Sequence, residues 1–212
     1  MVVAGYHLIW TAYGCWLPND PRGSTSKEVR NIQLQGLGEL HFGRKRLQPA
    51  RRVVKAFYDQ AKQRLKHELL DLSDGETVAA AVAFASVIKS HRYTCYACAV
   101  MPDHVHLLIR KHRHQAEEMI DVLQDASCLS VRACGHRDSD HPVWTEGGWK
   151  GFLTTPEDFR RIIRYIEQNP VKIGRPQQHW DFVTPYDGWM PGQVFRAKPQ
   201  ANGKHQQREK PQ

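Results

Sequence analysis

The chain has 212 residues, 41% of them hydrophobic, which suits one domain with a proper core and excludes a disordered protein. The net charge of +8 points to a polyanionic partner, nucleic acid first. No apolar run reaches the ~18 residues of a membrane span, and the N-terminal MVVAGYHLIWTAYG has neither the basic start nor the cleavage site of a secretory leader. A cytoplasmic, nucleoid-associated protein with no membrane partner is therefore expected. Five cysteines at irregular spacing fit reduced thiols better than a disulfide framework. Cys95 and Cys98 form a C-x-x-C, but residues three apart on a strand face opposite sides, so both read as structural.

Residues 6–13 (YHLIWTAY) read as a first strand. The next stretch, GCWLPNDPRGSTS, has the composition of a loop. Residues 27–48 are polar, with Gly36, Gly38 and Gly43, and read as part of an irregular insertion spanning about 18–76. A helix is predicted over 49–70, opened by Pro49, with Val53, Val54, Phe57, Ala61 and Leu65 on its apolar side and Gly75 as the break. An Ala-rich helix follows over about 77–90. Residues 93–110 read as a hairpin turning at Pro102-Asp103, and 115–133 as a helix carrying Met119, Ile120, Leu123 and Val131. VWTEGGWKGFL (143–153) reads as a short hairpin around Gly147-Gly148. Pro156 opens a last helix, and 191–212 reads as a disordered basic tail. The order predicts one α+β domain over 1–190, an antiparallel sheet with helices on one face.

Two constellations carry chemistry. In MPDHVHLLIR (101–110), period two puts His104 and His106 on one face of a strand, about 7 Å apart along the chain. Two imidazoles on a rigid element can share one metal ion. In PEDFRRIIRYIEQNP, a helical wheel makes Phe159, Ile162, Ile163 and Ile166 the apolar stripe. Tyr165 lies roughly 110° from the stripe centre and Asn169 roughly 70° on the same side, one turn apart. Pro170 is predicted to end the helix there. A tyrosine beside an amide oxygen on a basic flank has the makings of a nucleophile next to a metal ligand.

MPDHVHLLI resembles the histidine-hydrophobe-histidine motif of the single-tyrosine HUH transposases. RYIEQNPVKIG resembles the tyrosine helix of their REP-associated branch, which runs Tyr-Ile-x-x-Asn-Pro-Val, and VWTEGGWKGFL fits the same branch. The resemblance covers about 83–174 and extends to the first strand, but not to 18–76 or the tail. Relaxases place their tyrosines before the histidines, and replication initiators carry a lysine three or four residues after the tyrosine; here Gln168 and Asn169 stand there.

The resemblance implies a ferredoxin-like HUH nuclease fold and the cutting and rejoining of single-stranded DNA at palindromic hairpins. Tyr165 is then the nucleophile, forming a 5′-phosphotyrosine, and His104 and His106 are ligands of Mg²⁺ or Mn²⁺. Asn169 is the candidate third ligand; Gln168 and Glu167 rotate off that face. Water or Asp103 is left as the base for the phenol. Arg160, Arg161 and Arg164 are candidate phosphate contacts, with Trp16 and Arg22 of the WLPNDPRG loop as further DNA contacts. A monomer or a homodimer is compatible. Against the family pattern, EEMIDVLQDASCLSVRA is poor in lysine. Metallo-β-lactamase, amidohydrolase and cupin sites fit poorly, because LLIR follows His106. The remaining alternative is a catalytically silent, domesticated hairpin-binding regulator.

Overall fold

A computed structural model describes residues 2–24 and 26–192. The expected tail lies, from 193 on, outside the described residues. Four strands, β1 (Gly5–Thr11), β2 (Cys95–Val100), β3 (His104–Arg110) and β4 (Trp149–Leu153), form an antiparallel sheet in the order β2-β3-β1-β4. The helices are α1 (Arg51–Arg64), α2 (Asp74–His91), α3 (Ala116–Cys134) and α4 (Pro156–Lys172). The run β1-α2-β2-β3-α3-β4 in that strand order is the ferredoxin-like split βαβ arrangement. No helix among the described residues is long and apolar enough to cross a membrane.

Alternation along the strands builds two cores. Tyr6, Leu8 and Trp10 of β1 and Val105, Leu107 and Ile109 of β3 pack with Phe84 and Ile88 of α2 and Met119, Ile120 and Leu123 of α3. The opposite face presents Ala97, Ala99 and Leu108 to Phe159 and Ile166 of α4. Helices therefore cover both faces, where the sequence suggested one. Residues of β3 are buried on both sides, so a second helical layer is required. Phe159 and Ile166 are fully buried, and each contributes roughly 1.5–3 kcal/mol toward holding α4 on the sheet.

Other boundaries move for local reasons. α1 stops at Arg64, because the backbone N–H groups of Leu70 and Leu72 donate instead to the carbonyls of Tyr13 (2.9 Å) and Pro102 (2.8 Å). Gly75 does not break a helix; it sits in the first turn of α2, behind a capping box of Ser73 and Glu76. Residues 143–153 are not a hairpin but one interrupted strand along β1. Trp144 bridges Ala12, and β4 resumes at Trp149 opposite Ile9. Gly148 fits the interruption because a Cβ there would lie 2.7 Å from the Ile9 carbonyl oxygen. Cys95 and Cys98 share one core, since a register shift between Cys95 and Ala97 turns both Tyr96 and Ala97 to the other face. Burial pushes the Cys95 thiol up to about 12 and the Cys98 thiol well above its ordinary value, which fits structural cysteines.

The insertion has a small core of its own, Leu17, Leu34, Phe57 and Ala61. After α4 the chain covers the outer edge of the sheet. Gln178 mimics a strand there, its Oε1 accepting from the Val100 N–H and its Nε2 donating to the Val100 carbonyl, both at 2.8 Å.

Candidate active site

His104 and His106 point to the α4 face, with rings 4.7 Å apart. The α4 stripe is anchored on that face, so a side chain flanking the stripe is delivered onto the sheet beside the histidines. Tyr165 is that side chain. Its ring meets the His106 ring edge-on at 5.4 Å, and it is 41% exposed, open to a ligand from solvent.

Each histidine has one ring nitrogen engaged. His104 Nδ1 is 2.6 Å from Asp103 Oδ1, and His106 Nδ1 is 3.0 Å from His7 Nε2. The Nε2 atoms of both are thus the nitrogens left for a ligand. Burial, reinforced electrostatically by the neighbouring His104, His7 and Lys172 side chains, pushes the His106 pKa down to about 2. Burial and Arg161 likewise hold His7 at about 4. Both rings are neutral at pH 7, the form that binds metals. For His106 to offer Nε2 as a lone pair, its Nδ1–H must donate to His7 Nε2. Asp103 is depressed overall: burial raises its pKa, but the His104 hydrogen bond and charge outweigh that. Asp103 is therefore an orienting carboxylate for His104, which weakens the reading of it as base for the phenol.

His7 was missed in the sequence. It pairs across to Leu108 on β3, one step along from Ile9 opposite His106, and so lies diagonal to His106 on the same face. Its ring stacks on His106 at 5.1 Å and meets Tyr165 edge-on at 6.1 Å. The available signal was a polar residue inside an apolar strand, YHLIWT, but only the strand order says which residues it meets.

Asn169 is buried one turn after Tyr165, and its Nδ2 donates to the Tyr165 carbonyl at 2.9 Å. The amide nitrogen is thereby spent on the helix, leaving the carbonyl oxygen as the atom that could accept or ligate. No third His, Cys, Asp or Glu joins the two histidines in a ready-made ligand group among the described residues. Pro170 does not end the helix. α4 continues to Lys172 and closes at Gly174, which has φ 77°. The extra turn brings Lys172 Nζ to 4.4 Å from the Tyr165 ring centroid. A cation does accompany the tyrosine, then, at seven residues rather than three or four.

Arg160 and Arg161 pair with Glu157 (3.3 Å) and Asp158 (2.9 Å) one turn earlier. Such exposed pairs are worth little and exchange readily for phosphate. Arg164 is exposed on the same helix. Arg161 stands one turn before Tyr165 and is the charge that bears on His7. Arg22 is differently placed. Its Nη2 lies 2.6 Å from the fully buried Asp20 carboxylate, and its guanidinium covers one side of the Trp16 ring at 3.9 Å. Arg22 is thus a brace inside the insertion, and only the uncovered side of Trp16 remains for stacking.

No family model matches the chain, and no curated protein matches it. Among solved structures it is similar to a REP-associated tyrosine transposase bound to a REP hairpin. That match has 14% identity and a TM-score of 0.43, over 82% of this chain and 70% of the other. It is also similar to a candidate transposase from Deinococcus radiodurans at 16% identity and a TM-score of 0.36, over 83% of this chain and 94% of the other. Likeness at this level carries no functional inference, so the case for function rests on the side chains.

Proposed function

We propose that the chain is a single-tyrosine strand transferase acting on single-stranded DNA beside palindromic hairpins. One observation carries the reading: Tyr165 stands edge-on to His106 at 5.4 Å, on the sheet face that also holds His104. A nucleophile-bearing helix and a histidine pair on a rigid strand are thereby joined in one half-open site.

The Tyr165 Oη attacks the scissile phosphorus, forming an Oη–P bond as the bond from phosphorus to the 3′ oxygen breaks. The phenol proton is lost to solvent and the departing 3′ oxygen takes one up. The chain keeps a 5′-phosphotyrosine, so the energy of the phosphodiester is conserved and no nucleotide hydrolysis is needed. Attack by another 3′-OH reverses the step and joins strands.

A phenol with a reference pKa of about 10 needs help at neutral pH. Lys172 and Arg161 supply positive charge on the side from which phosphate approaches. The donor set suits a divalent cation of the Mg²⁺ or Mn²⁺ class: two oriented imidazoles whose Nε2 atoms are left for a ligand, with the Asn169 carbonyl oxygen as the candidate third ligand. When bound, such an ion draws charge from the non-bridging phosphate oxygens. His104 and His106 would hold it, with Asp103 and His7 orienting their rings, and Asn169 would join the ligand set to the tyrosine helix. Arg160 and Arg164 extend the basic surface along the strand.

Covalent trapping tests the reading. Labelled hairpins with single-stranded flanks, incubated with Mn²⁺ and run on a denaturing gel, should give a slow-migrating adduct. It should vanish with EDTA and in Tyr165→Phe, while Tyr165→Phe still binds the hairpin. An adduct that persists in Tyr165→Phe refutes the nucleophile. Binding with no adduct in the wild type leaves the hairpin-binding regulator.

A further inference from the structure

The geometry points to a pocket for one unpaired nucleobase, walled by Trp149 and the insertion, next to the phosphate site. Trp149 is an anomaly on this fold. It is 51% exposed although it lies on the sheet face that carries His7 and His106. Its ring meets the His7 ring edge-on at 5.8 Å. His7 is thus in ring contact with both Tyr165 and Trp149, which places the indole one side chain away from the proposed nucleophile.

The indole is exposed and yet seated on backbone. It lies back along β4 over Gly151, where a Cβ would come within 2.8 Å of its Cη2 and 2.9 Å of its Cζ3. A side chain at 151 would drive the ring away. An aromatic face open to solvent and packed on backbone suits a stacking platform.

The space before it is a cleft of about 290 Å³, lined by Trp149, Trp16, Thr11, Ser24, Arg44 and Glu146. That volume is near the small end of ligand sites, about 300 Å³. Glycines 23, 147 and 148 give part of the wall as bare backbone. Hydroxyls and a carboxylate offer partners to a base edge, and Glu146 disfavours a phosphate inside. Arg44 at the cleft and Arg161 and Lys172 by Tyr165 suit the flanking phosphates instead. The occupant is therefore a base with its phosphates outside, from single-stranded DNA, because a paired base cannot leave its stack without cost.

This inference rests on the strand-transferase reading for which base is held, the one adjoining the scissile phosphate, but its test is separate. A fluorescein-labelled hairpin with a short single-stranded flank is titrated by anisotropy, without metal, against the full chain. Abasic sites are then walked along the flank. In the wild type, one position should weaken binding about 10-fold or more when its base is removed. In Trp149→Ala that position should lose its effect, and Trp149→Phe should restore part of it. Gly151→Ala, which keeps the indole but displaces it, should behave like Trp149→Ala. Circular dichroism checks that each variant is folded. Identical abasic profiles in the wild type and a folded Trp149→Ala overturn the pocket, whatever the covalent assay gives. A missing adduct with the profile intact overturns the catalytic reading alone.

Discussion

The most discriminating perturbation of the site is His7→Ala. His7 and His106 are each only 3% exposed, and the 3.0 Å contact between them gives the His106 Nδ1–H an acceptor in the tautomer that leaves Nε2 as a lone pair. Truncation leaves the His106 Nδ1–H buried without an acceptor, at a cost of about 1–3 kcal/mol. It also frees the ring to adopt the other tautomer, in which Nε2 is no longer a lone pair. Loss of such an orienting partner typically lowers metal affinity about 10–100-fold, or about 1.4–2.8 kcal/mol. The assay is Mn²⁺ binding, read as the loss of the free-ion EPR signal, so no DNA is involved. His7→Gln should recover most of the affinity, because its Oε1 can reach where Nε2 stood and accept the same hydrogen bond. A folded His7→Ala that binds Mn²⁺ within about twofold of the wild type would refute the orienting role and, with it, the tautomer assigned to His106.

Lys172→Gln should slow adduct formation about 10-fold, with Lys172→Arg close to wild type in a single-turnover gel assay; the electrostatic effect is reduced from buried-site values because Tyr165 is half open. Asp20→Asn should destabilise the fold by about 2–3 kcal/mol in urea denaturation. The carboxylate is fully buried and contacts Arg22 and the Tyr58 hydroxyl (2.5 Å), but Arg22 is 28% exposed, so the loss falls below that of a fully buried pair. A change under about 0.5 kcal/mol would mean the insertion does not depend on this brace. Burial raises the Asp20 pKa, but its hydrogen bonds to Arg22 and Tyr58 outweigh burial and leave it depressed. Its contribution is therefore present above the unfolded value of about 3.9 and lost as pH falls through the lower folded value. Acid unfolding of Asp20→Asn should accordingly be less steep than that of the wild type.

Much of the site was legible because its parts obey local periods. Period two places His104 and His106 on one face whatever the sheet does, and the 3.6-residue turn places Tyr165 and Asn169 together beside the apolar stripe. The succession of elements indicated an α+β domain with an antiparallel sheet, and the family resemblance implied its ferredoxin-like order. What stayed hidden depends on two segments far apart in sequence. His7 and His106 are 99 residues apart, and only the β1–β3 pairing makes them partners. The bulge that turns Cys95 and Cys98 to one side is set by packing on both faces of β2, which alternation does not record. Glycines misled for a related reason. Gly75 and Gly148 look like breaks, yet one sits inside a capped helix turn and the other permits a close approach to the Ile9 carbonyl.

Pro170 is the most informative of the misread residues. A proline tolerates the last turn of a helix poorly, because it removes an N–H and crowds the carbonyl four residues back. Here it is buried, with Asn169 beside it donating to the Tyr165 carbonyl, and the helix runs on to Lys172. Had the helix ended at 169, Lys172 would not return to the Tyr165 ring. The Asn-Pro pair thus has two separable consequences. The Asn169 amide nitrogen is held on the Tyr165 carbonyl, which leaves its oxygen for the proposed metal, and the helix runs on far enough to bring Lys172 to the Tyr165 ring. Pro170→Ala, which restores a backbone donor without removing Lys172, should leave adduct formation within a few-fold of the wild type. Asn169→Ala should lose Mn²⁺ affinity and adduct together. If Asn169→Ala keeps its metal affinity, the third ligand must be sought elsewhere, with Gln168 and Glu167 the next residues to replace.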